Sequence, residues 1–564
     1  MSHTTVLTVL TTMTAAALVL RLAGGFRESL PGPGRLAALL ATLHLLSLAR
    51  RNWRVAEWRR IIVAHKFAIG LFAVCVLAVV VRLPGFASDL GHTPLDIDER
   101  RLAANVKHFF DTGEVRHTHI EHYPGAVFWV FVASSFLTSF HGLTTGLTST
   151  LSQLPVEVFV HASRLANIWV AAATVALTGL VGWHLSGPTA GLLGAVMVAI
   201  VPVSVETTVL VRNDAGMVLV VMAATYGALV YYGSGMLRWI VAAGAFAGLA
   251  AAIKYSAVFA LAPVLIAAFS TAQVRGRSRA VIVGVLAFGM AVAISNHFIW
   301  KDFPSFLRQL SDQHSFTGLG HRWSTDNPAS VYLMTLAWAG PGWPLVLLAA
   351  ALTVYALSTP HPKLWIFISF PVAYLWFMTQ RPLQVPRWVY PLVPFVAVAG
   401  VSALAASVQP FLAVLASRRT PWSRVGPFAA TLAVVGVLWQ PVWAGAVSFS
   451  RRINRPTHEL TEAWIQEHAT PQTVVLLGQG WLDLSDTHLV TRRVPNLQTA
   501  LDAGIEQLGG CDWVIVPEPL FGHPVLRQLG FLQRFEADWS FGGNGGLDFE
   551  VYAVPEVATG TICG

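Results

Sequence analysis

Long apolar runs separated by short polar stretches fill the chain from residue 4 to about residue 450, where the pattern changes. A bilayer core takes about 20 apolar residues per helical span. The runs at 61–83, 164–185, 215–232, 281–300, 331–357, 390–408 and 425–447 meet or approach that length, with shorter ones at 189–205, 239–253, 256–269 and 364–379. They predict an all-α polytopic membrane protein with about 11–13 transmembrane helices. Two earlier runs, 4–20 and 36–48, read as an N-terminal hairpin. The first has no basic residue before it and no small-residue cleavage site, so it reads as a retained helix rather than a cleaved signal. Past residue 450, helical patterns at 457–468 and 497–508 alternate with short apolar runs at 473–477 and 513–516. Such alternation predicts a small α/β domain. The expected organisation is an N-terminal hairpin and basic segment (1–60), a membrane domain (61–450) with a large loop at 84–163, and a soluble α/β domain (451–564).

Composition supports this reading. The chain is 54% hydrophobic and only 12% charged, with a mean hydropathy of +0.59, outside the range of soluble domains. The formal charge of +8 therefore does not point to nucleic acid. Basic residues instead mark the cytoplasmic ends of spans. They cluster at Arg50, Arg51, Arg54, Arg59, Arg60 and Lys66, at Arg275, Arg277 and Arg279, and at Arg418, Arg419 and Arg424. Placing all three clusters inside requires an even number of spans between them. That holds if 124–140 is a helix at the outer interface. The loop at 84–163, the segment from Glu206 to Asp214, the loop at 301–327, Arg381, Arg387 and the whole tail then lie outside the cytoplasm, in a multi-pass protein of the plasma membrane. Of three cysteines, Cys75 sits in a span, and Cys511 and Cys563 can pair if the tail is extracytoplasmic.

In a chain so poor in charge, Asp96-Ile97-Asp98-Glu99 is a concentration of carboxylates just past the 61–83 run. Acids held at a membrane surface can take a proton from a substrate or hold a divalent metal (Mg, Mn or Zn). Arg212-Asn213-Asp214 adds another acid, and Lys254, Arg381 and Arg387 add cations on the same side. A lysine at the depth of Lys254 is costly without a partner. Cations and carboxylates around one outer cavity suit a sugar joined through phosphate to a lipid. The cations stabilise the departing phosphate, and one carboxylate takes the proton of the attacking hydroxyl. Phosphate leaves readily, so no second carboxyl is required as general acid, unlike glycoside hydrolysis. Asp98 and Asp96 both stand as bases. The run His117-Thr118-His119-Ile120-Glu121-His122 places imidazoles and a carboxylate alternately, as a zinc or manganese site needs.

Each residue also has a plain reading. Asp98 and Glu99 can pair with Arg100 and Arg101, Asp214 with Arg212 at a helix end, and Lys254 can extend to the interface. Arg387 can be an interfacial anchor, and 20 Trp with 31 Phe suit belts and packing.

Several segments in order carry a resemblance: Asp98-Glu99, Tyr123-Pro124-Gly125 with Phe128-Trp129, Ser163-Arg164-Leu165, Arg212-Asn213-Asp214, Gly248-Leu249 with Lys254-Tyr255-Ser256, Arg387-Trp388-Val389-Tyr390-Pro391 with Pro394, and Trp464-Ile465 in the tail. From about residue 61 onward the chain resembles the GT-C membrane glycosyltransferases, in particular the protein O-mannosyltransferases and the bacterial lipid A aminoarabinose transferase. The resemblance implies a GT-C fold and inverting transfer from a polyprenyl-phosphate sugar on the outer membrane face. Carried over by position, it implies Asp98 as general base and Glu99 as the residue orienting it or the acceptor. Lys254 and Arg387 would bind the donor phosphate, with Asp96, Arg212, Asp214, Tyr255 and Tyr390 around the substrate. The acceptor such a resemblance implies is a protein, lipid or polysaccharide. The chain departs from the family where Pro124-Gly125 replaces Pro-Pro and Arg100-Arg101 stands where a Tyr often follows Asp-Glu.

Two other classes stand beside this one. A transporter or flippase of a lipid-linked glycan predicts related halves with paired broken helices, and no internal repeat is apparent. A scaffold whose tail binds a partner leaves Asp98, Glu99 and Lys254 without a role.

Overall fold

The computed structural model describes residues 55–87, 97–115, 126–144, 156–270, 274–296, 327–381, 385–417, 422–453, 457–470, 472–478, 490–494, 497–503, 511–517, 523–535 and 549–554, with a few isolated residues between. The N-terminal hairpin expected at 4–20 and 36–48 lies outside these. The chain divides into two compact units, 1–74 and 75–564.

Helix α1 (Val55–Val80) is interrupted at His65, whose backbone is non-helical. A short helix, α2 (Leu83–Ala87), follows it. Helices α3 (Ile97–Thr112), α4 (Ala126–Thr144) and α5 (Val156–Ser186) share one core. In it Leu102, Val106, Phe128, Phe131, Phe159 and Val211 are buried together, and Phe109 meets Phe128 edge-on. Helix α4 turns Phe128 and Phe131 inward and leaves Trp129, Val130, Phe136 and Leu137 exposed.

The run expected as one span at 189–205 is instead two helices, α6 (Pro188–Ile200) and α7 (Pro202–Val209), bent by 57°. Pro202 causes the break. It has no N–H to continue α6, and it disfavours the helical conformation at Val201, which is extended. Helix α8 (Asn213–Ser234) ends at Gly235, whose φ of 66° is the left-handed cap that glycine supplies. Helix α9 (Leu237–Ile253) stops at Lys254, whose extended backbone leads into a 3₁₀ turn (Tyr255–Ala260) and α10 (Leu261–Ser270). Helix α11 (Val274–Ser295) lies so close to α9 that a methyl at Gly244 would strike the carbonyl of Gly284, a small-residue contact of the kind that joins membrane helices.

The run at 331–357, expected as a single span, is two helices bent by 120°, α12 (Pro328–Trp338) and α13 (Trp343–Ser358). The sequence Gly340-Pro341-Gly342 breaks it, with Gly342 at φ 95°. The exposed helix ends are satisfied from elsewhere. The Gln440 amide donates to the Ala337 carbonyl at 2.8 Å and accepts from the Trp343 N–H at 3.1 Å. Helix α14 (Pro362–Thr379), a 3₁₀ turn (Pro386–Leu392), α15 (Val393–Ser417) and α16 (Trp422–Ile453) complete the apolar part.

Four segments, Val158–Ser186, Asn213–Ser234, Gly276–Ser295 and Pro386–Val408, are long and apolar enough to cross a membrane among the described residues, and the two bent pairs bring the number to six if each is one span. Several runs expected as spans are shorter apolar helices, among them Leu237–Ile253 and Tyr255–Ser270. The protein is a mostly helical, multi-pass membrane protein.

The tail has the expected mixed character. Helix α17 (Thr457–His468) precedes β1 (Val474–Gly478), β2 (Val490–Val494), α18 (Leu497–Asp502), β3 (Trp513–Pro517), β4 (Gly530–Phe535) and β5 (Phe549–Ala553). The sheet order is β2-β1-β3-β5-β4, with β1 parallel to β2 and β3, and β5 antiparallel to β3 and β4. Strand residues alternate between two cores. Leu476, Val514 and Val516 pack with Leu497 and Leu501 on one face, and Val475, Leu477 and Ile515 pack with Ile465 on the other. The helix expected over 497–508 is described only as far as Asp502. Cys511 is disulfide-bonded and Cys75 is a buried free thiol, while Cys563 lies outside the described residues.

Candidate functional site

Two ionic clusters flank the stretch from Leu210 to Asp214, which runs from the end of α7 into the first turn of α8. The first is buried. Glu99, on the first turn of α3, receives two hydrogen bonds from the Arg164 guanidinium of α5, from Nε and Nη2, each 2.7 Å long. Its Oε1 also accepts the Val211 N–H at 2.9 Å. Both side chains are almost wholly shielded from solvent. One helical turn beyond Arg164, Asn167 donates its amide to the Leu210 carbonyl at 2.6 Å and lies 3.4 Å from the Arg212 carbonyl. Residues three apart share a helix face, so α5 presents Arg164 and Asn167 to the same segment. Arg164 grips it through Glu99, and Asn167 grips it directly.

The second cluster is where that segment leads. Asp214, in the first turn of α8, is buried, and its Oδ1 pairs with Lys254 Nζ at 2.8 Å. A carboxylate there also answers the partial positive charge of the helix N-terminus. Lys254 reaches it because α9 stops at that residue. The ammonium stands 5.4 Å from the centre of the Trp388 ring, a cation–π contact. Trp388 is held in turn, its carbonyl accepting the Tyr374 hydroxyl at 3.0 Å. Arg387 and Arg212 lie close enough for their charges to act on the Asp214 carboxylate. One carboxylate is thus set among three cations, Lys254, Arg212 and Arg387. An excess of positive charge of this kind can hold an anionic group.

The structure brings together Arg212, Asp214, Lys254 and Arg387 as one group. Glu99 touches its supporting segment, and Tyr255 follows Lys254 in the 3₁₀ turn. Tyr390 is fully buried in the 3₁₀ turn that carries Arg387. Arg381 packs over the Phe377 ring at 4.7 Å. Asp98 belongs to the first turn of α3, next to Glu99, and its side chain lies outside the described residues. Asp96, His117, His119, Glu121, His122, His297, His314 and His321 also lie outside them. No group of three or more potential metal-binding residues occurs among the described residues.

Four residues of this architecture were not singled out in the sequence. Asn167 and Trp388 stood inside quoted segments or beside them without a role, and Gln440 looked like a polar residue in an apolar run. Arg82 is the clearest signal missed, a lone charge at the end of the 61–83 run, where burial is expensive without partners. It is fully buried and fully engaged. Nε donates to Thr208 Oγ1 at 2.6 Å, Nη1 to the carbonyls of Ala78 and Ala199 at 2.8 and 2.9 Å, and Nη2 to Ser204 Oγ at 3.0 Å. It thereby supports the α6–α7 break just upstream of the Leu210–Asp214 segment.

Residues 150–300, which contain Arg164, Asn167, Arg212, Asp214 and Lys254, match the family model described as dolichyl-phosphate-mannose-protein mannosyltransferase. No curated protein matches the sequence. Among solved structures, the chain is similar to the oligosaccharyltransferase of Archaeoglobus fulgidus in its apo form, at 12% identity and a TM-score of 0.49, covering 81% of this chain and 70% of that one. It is also similar to ArnT from Cupriavidus metallidurans bound to undecaprenyl phosphate, at 14% identity and a TM-score of 0.45, covering 90% of this chain and 100% of that one. The chain resembles the GT-C membrane glycosyltransferases, and the dolichyl-phosphate-mannose-protein mannosyltransferases over residues 150–300.

Proposed function

We propose that the protein is a glycosyltransferase that moves a sugar from a polyprenyl-phosphate donor to an acceptor hydroxyl at the extracytoplasmic face of the plasma membrane, with inversion. The observation that carries this reading is the group of three cations around Asp214. Lys254, Arg387 and Arg212 hold the donor phosphate. Asp214 aims Lys254 and offsets part of the positive charge before the donor arrives. Asp98 acts as the general base. The acceptor oxygen forms a bond to the anomeric carbon as its proton passes to the Asp98 carboxylate. The bond between that carbon and the phosphate oxygen breaks, and its electron pair leaves with the phosphate. The cations stabilise that developing charge, which is where preorganised groups contribute most.

Glu99 is a positioning residue in this scheme. Its carboxylate is consumed by Arg164 and the Val211 N–H, so it ties the start of α3, where Asp98 stands, to the segment bearing Arg212 and Asp214. Tyr255 continues the cation turn, and Tyr390 is buried in the 3₁₀ turn that bears Arg387. The tail from residue 451 is the extracytoplasmic domain of this protein, and the Cys511 disulfide accords with an oxidising compartment.

Binding of a polyprenyl phosphate to purified protein tests the phosphate site. Lys254→Met and Arg387→Gln should each weaken binding about ten- to hundredfold, the scale of a hydrogen bond to a charged group. Unchanged affinity in both variants would remove the basis of the proposal.

A further inference from the structure

A second polar cluster stands at the other end of the bundle. Helix α8 carries Asp214 in its first turn and Tyr226 and Tyr232 in its last turns. At 1.5 Å per residue, Tyr232 lies roughly 27 Å along the axis from Asp214. There the ends of α5, α8, α9, α13 and α14 converge. A cavity of about 410 Å³ is lined by Leu185, Tyr232, Tyr355, His361 and Lys363 among others. The Tyr355 hydroxyl is 3.3 Å from His361 Nε2. Beside it, α5, α8 and α9 enclose an almost wholly apolar groove of about 310 Å³ between Leu177, Val220, Ala223, Tyr226, Trp239 and Phe246.

One line of contacts connects the two. Lys363, at the rim of the polar cavity, acts electrostatically on His184. His184 meets Tyr226 edge-on at 5.5 Å, and Tyr226 meets Trp239 at 6.3 Å. Arg238 lies 5.9 Å over the Trp239 ring. Among the described residues, none lining either space is acidic, so Lys363 at the polar cavity and Arg238 beside the Trp239 wall of the groove give this end of the bundle a positive character. A free phosphate would use only the rim, and a neutral lipid only the groove.

We propose that this is a binding site for an anionic phospholipid, distinct from the Lys254–Asp214 group. Lys363 and Arg238 attract its anionic headgroup, and one acyl chain lies in the groove beside Ala223. The site does not depend on the proposed catalytic reading, since none of its residues belongs to the phosphate-binding group.

The test is native mass spectrometry of the full-length protein released from detergent micelles, with dioleoylphosphatidylglycerol and dioleoylphosphatidylcholine supplied in equal amounts. Wild type should retain phosphatidylglycerol preferentially. Lys363→Gln and Arg238→Gln should each reduce that retention about fivefold, the scale of one basic residue near an anionic lipid surface, with phosphatidylcholine unaffected. Ala223→Phe, which fills the groove and keeps the charges, should weaken both lipids. Lys363→Arg should preserve retention, and melting curves check that each variant is folded. Equal retention of phosphatidylglycerol by wild type and the Lys363→Gln/Arg238→Gln double variant would overturn the proposal. So would displacement of the lipid by excess inorganic phosphate together with unchanged binding in Ala223→Phe.

Discussion

Glu99 and Arg164 are joined by two 2.7 Å hydrogen bonds in a site closed to solvent. The pair decides where the Leu210–Asp214 segment runs, because the same carboxylate holds the Val211 N–H. Breaking a buried pair from one side leaves the other charge uncompensated, which costs about 3–5 kcal/mol. Glu99→Gln should therefore lower the melting temperature strongly. Replacing both partners with similar-sized apolar residues, Glu99→Met with Arg164→Met, should recover most of that stability. The double variant should nevertheless bind polyprenyl phosphate poorly, because Val211 has lost its acceptor. Recovery of both stability and binding would reduce the pair to packing.

Asp214 and Lys254 make a different prediction. Asp214→Asn removes the partner that aims the ammonium but adds to the net positive charge of the group. Donor binding should be retained within about tenfold while transfer falls further, a split expected when a group is misaimed rather than lost. Equal losses in both would place Asp214 on the substrate itself.

Gln440 holds both ends of the α12–α13 break. Gln440→Ala leaves a buried carbonyl and an N–H unpaired, at about 1–3 kcal/mol each. The melting temperature should drop well beyond the effect of a typical surface substitution, and a drop no larger than that would show water taking over the role.

Tyr552, in the C-terminal sheet, donates its hydroxyl to Glu550. Burial first, then that hydrogen bond and the neighbouring carboxylate charge, pushes the phenol well above its ordinary value near 10. A raised folded value means the contribution is fully present below about pH 10 and is lost as pH rises through the folded value. Tyr552→Phe should thus narrow the difference in stability between neutral and strongly alkaline pH, read as melting temperature against pH.

The fold class was legible because apolar run length is set by the bilayer, and the tail because helical and strand periodicities differ. Helix α17 was expected at the bounds found, and β1 and β3 announced themselves as short runs of Val, Leu, Ile and Trp. The other strands were not expected. In β2, Arg492 and Arg493 interrupt the apolar pattern at a sheet edge, and Gly530 opens β4. The broken helices were missed because hydropathy averages over Pro202 and Gly340-Pro341-Gly342, although each breaker was present in the sequence. The grouping of Arg212, Asp214, Lys254 and Arg387 was suggested by their common side of the membrane. The partnership of Glu99 with Arg164, 65 residues apart, was not, since nothing local to either residue names the other.

The measurement that bears most directly on the account is sugar transfer from a panel of radiolabelled polyprenyl-phosphate sugars by the purified protein in lipid, wild type beside Asp98→Asn, with donor binding measured in parallel. Wild type should move or hydrolyse one of the sugars, and Asp98→Asn should bind this donor normally but lose transfer by at least about a hundredfold, the scale of a general base. Transfer at the wild-type rate by Asp98→Asn, or tight donor binding without turnover in wild type, would contradict the proposed function.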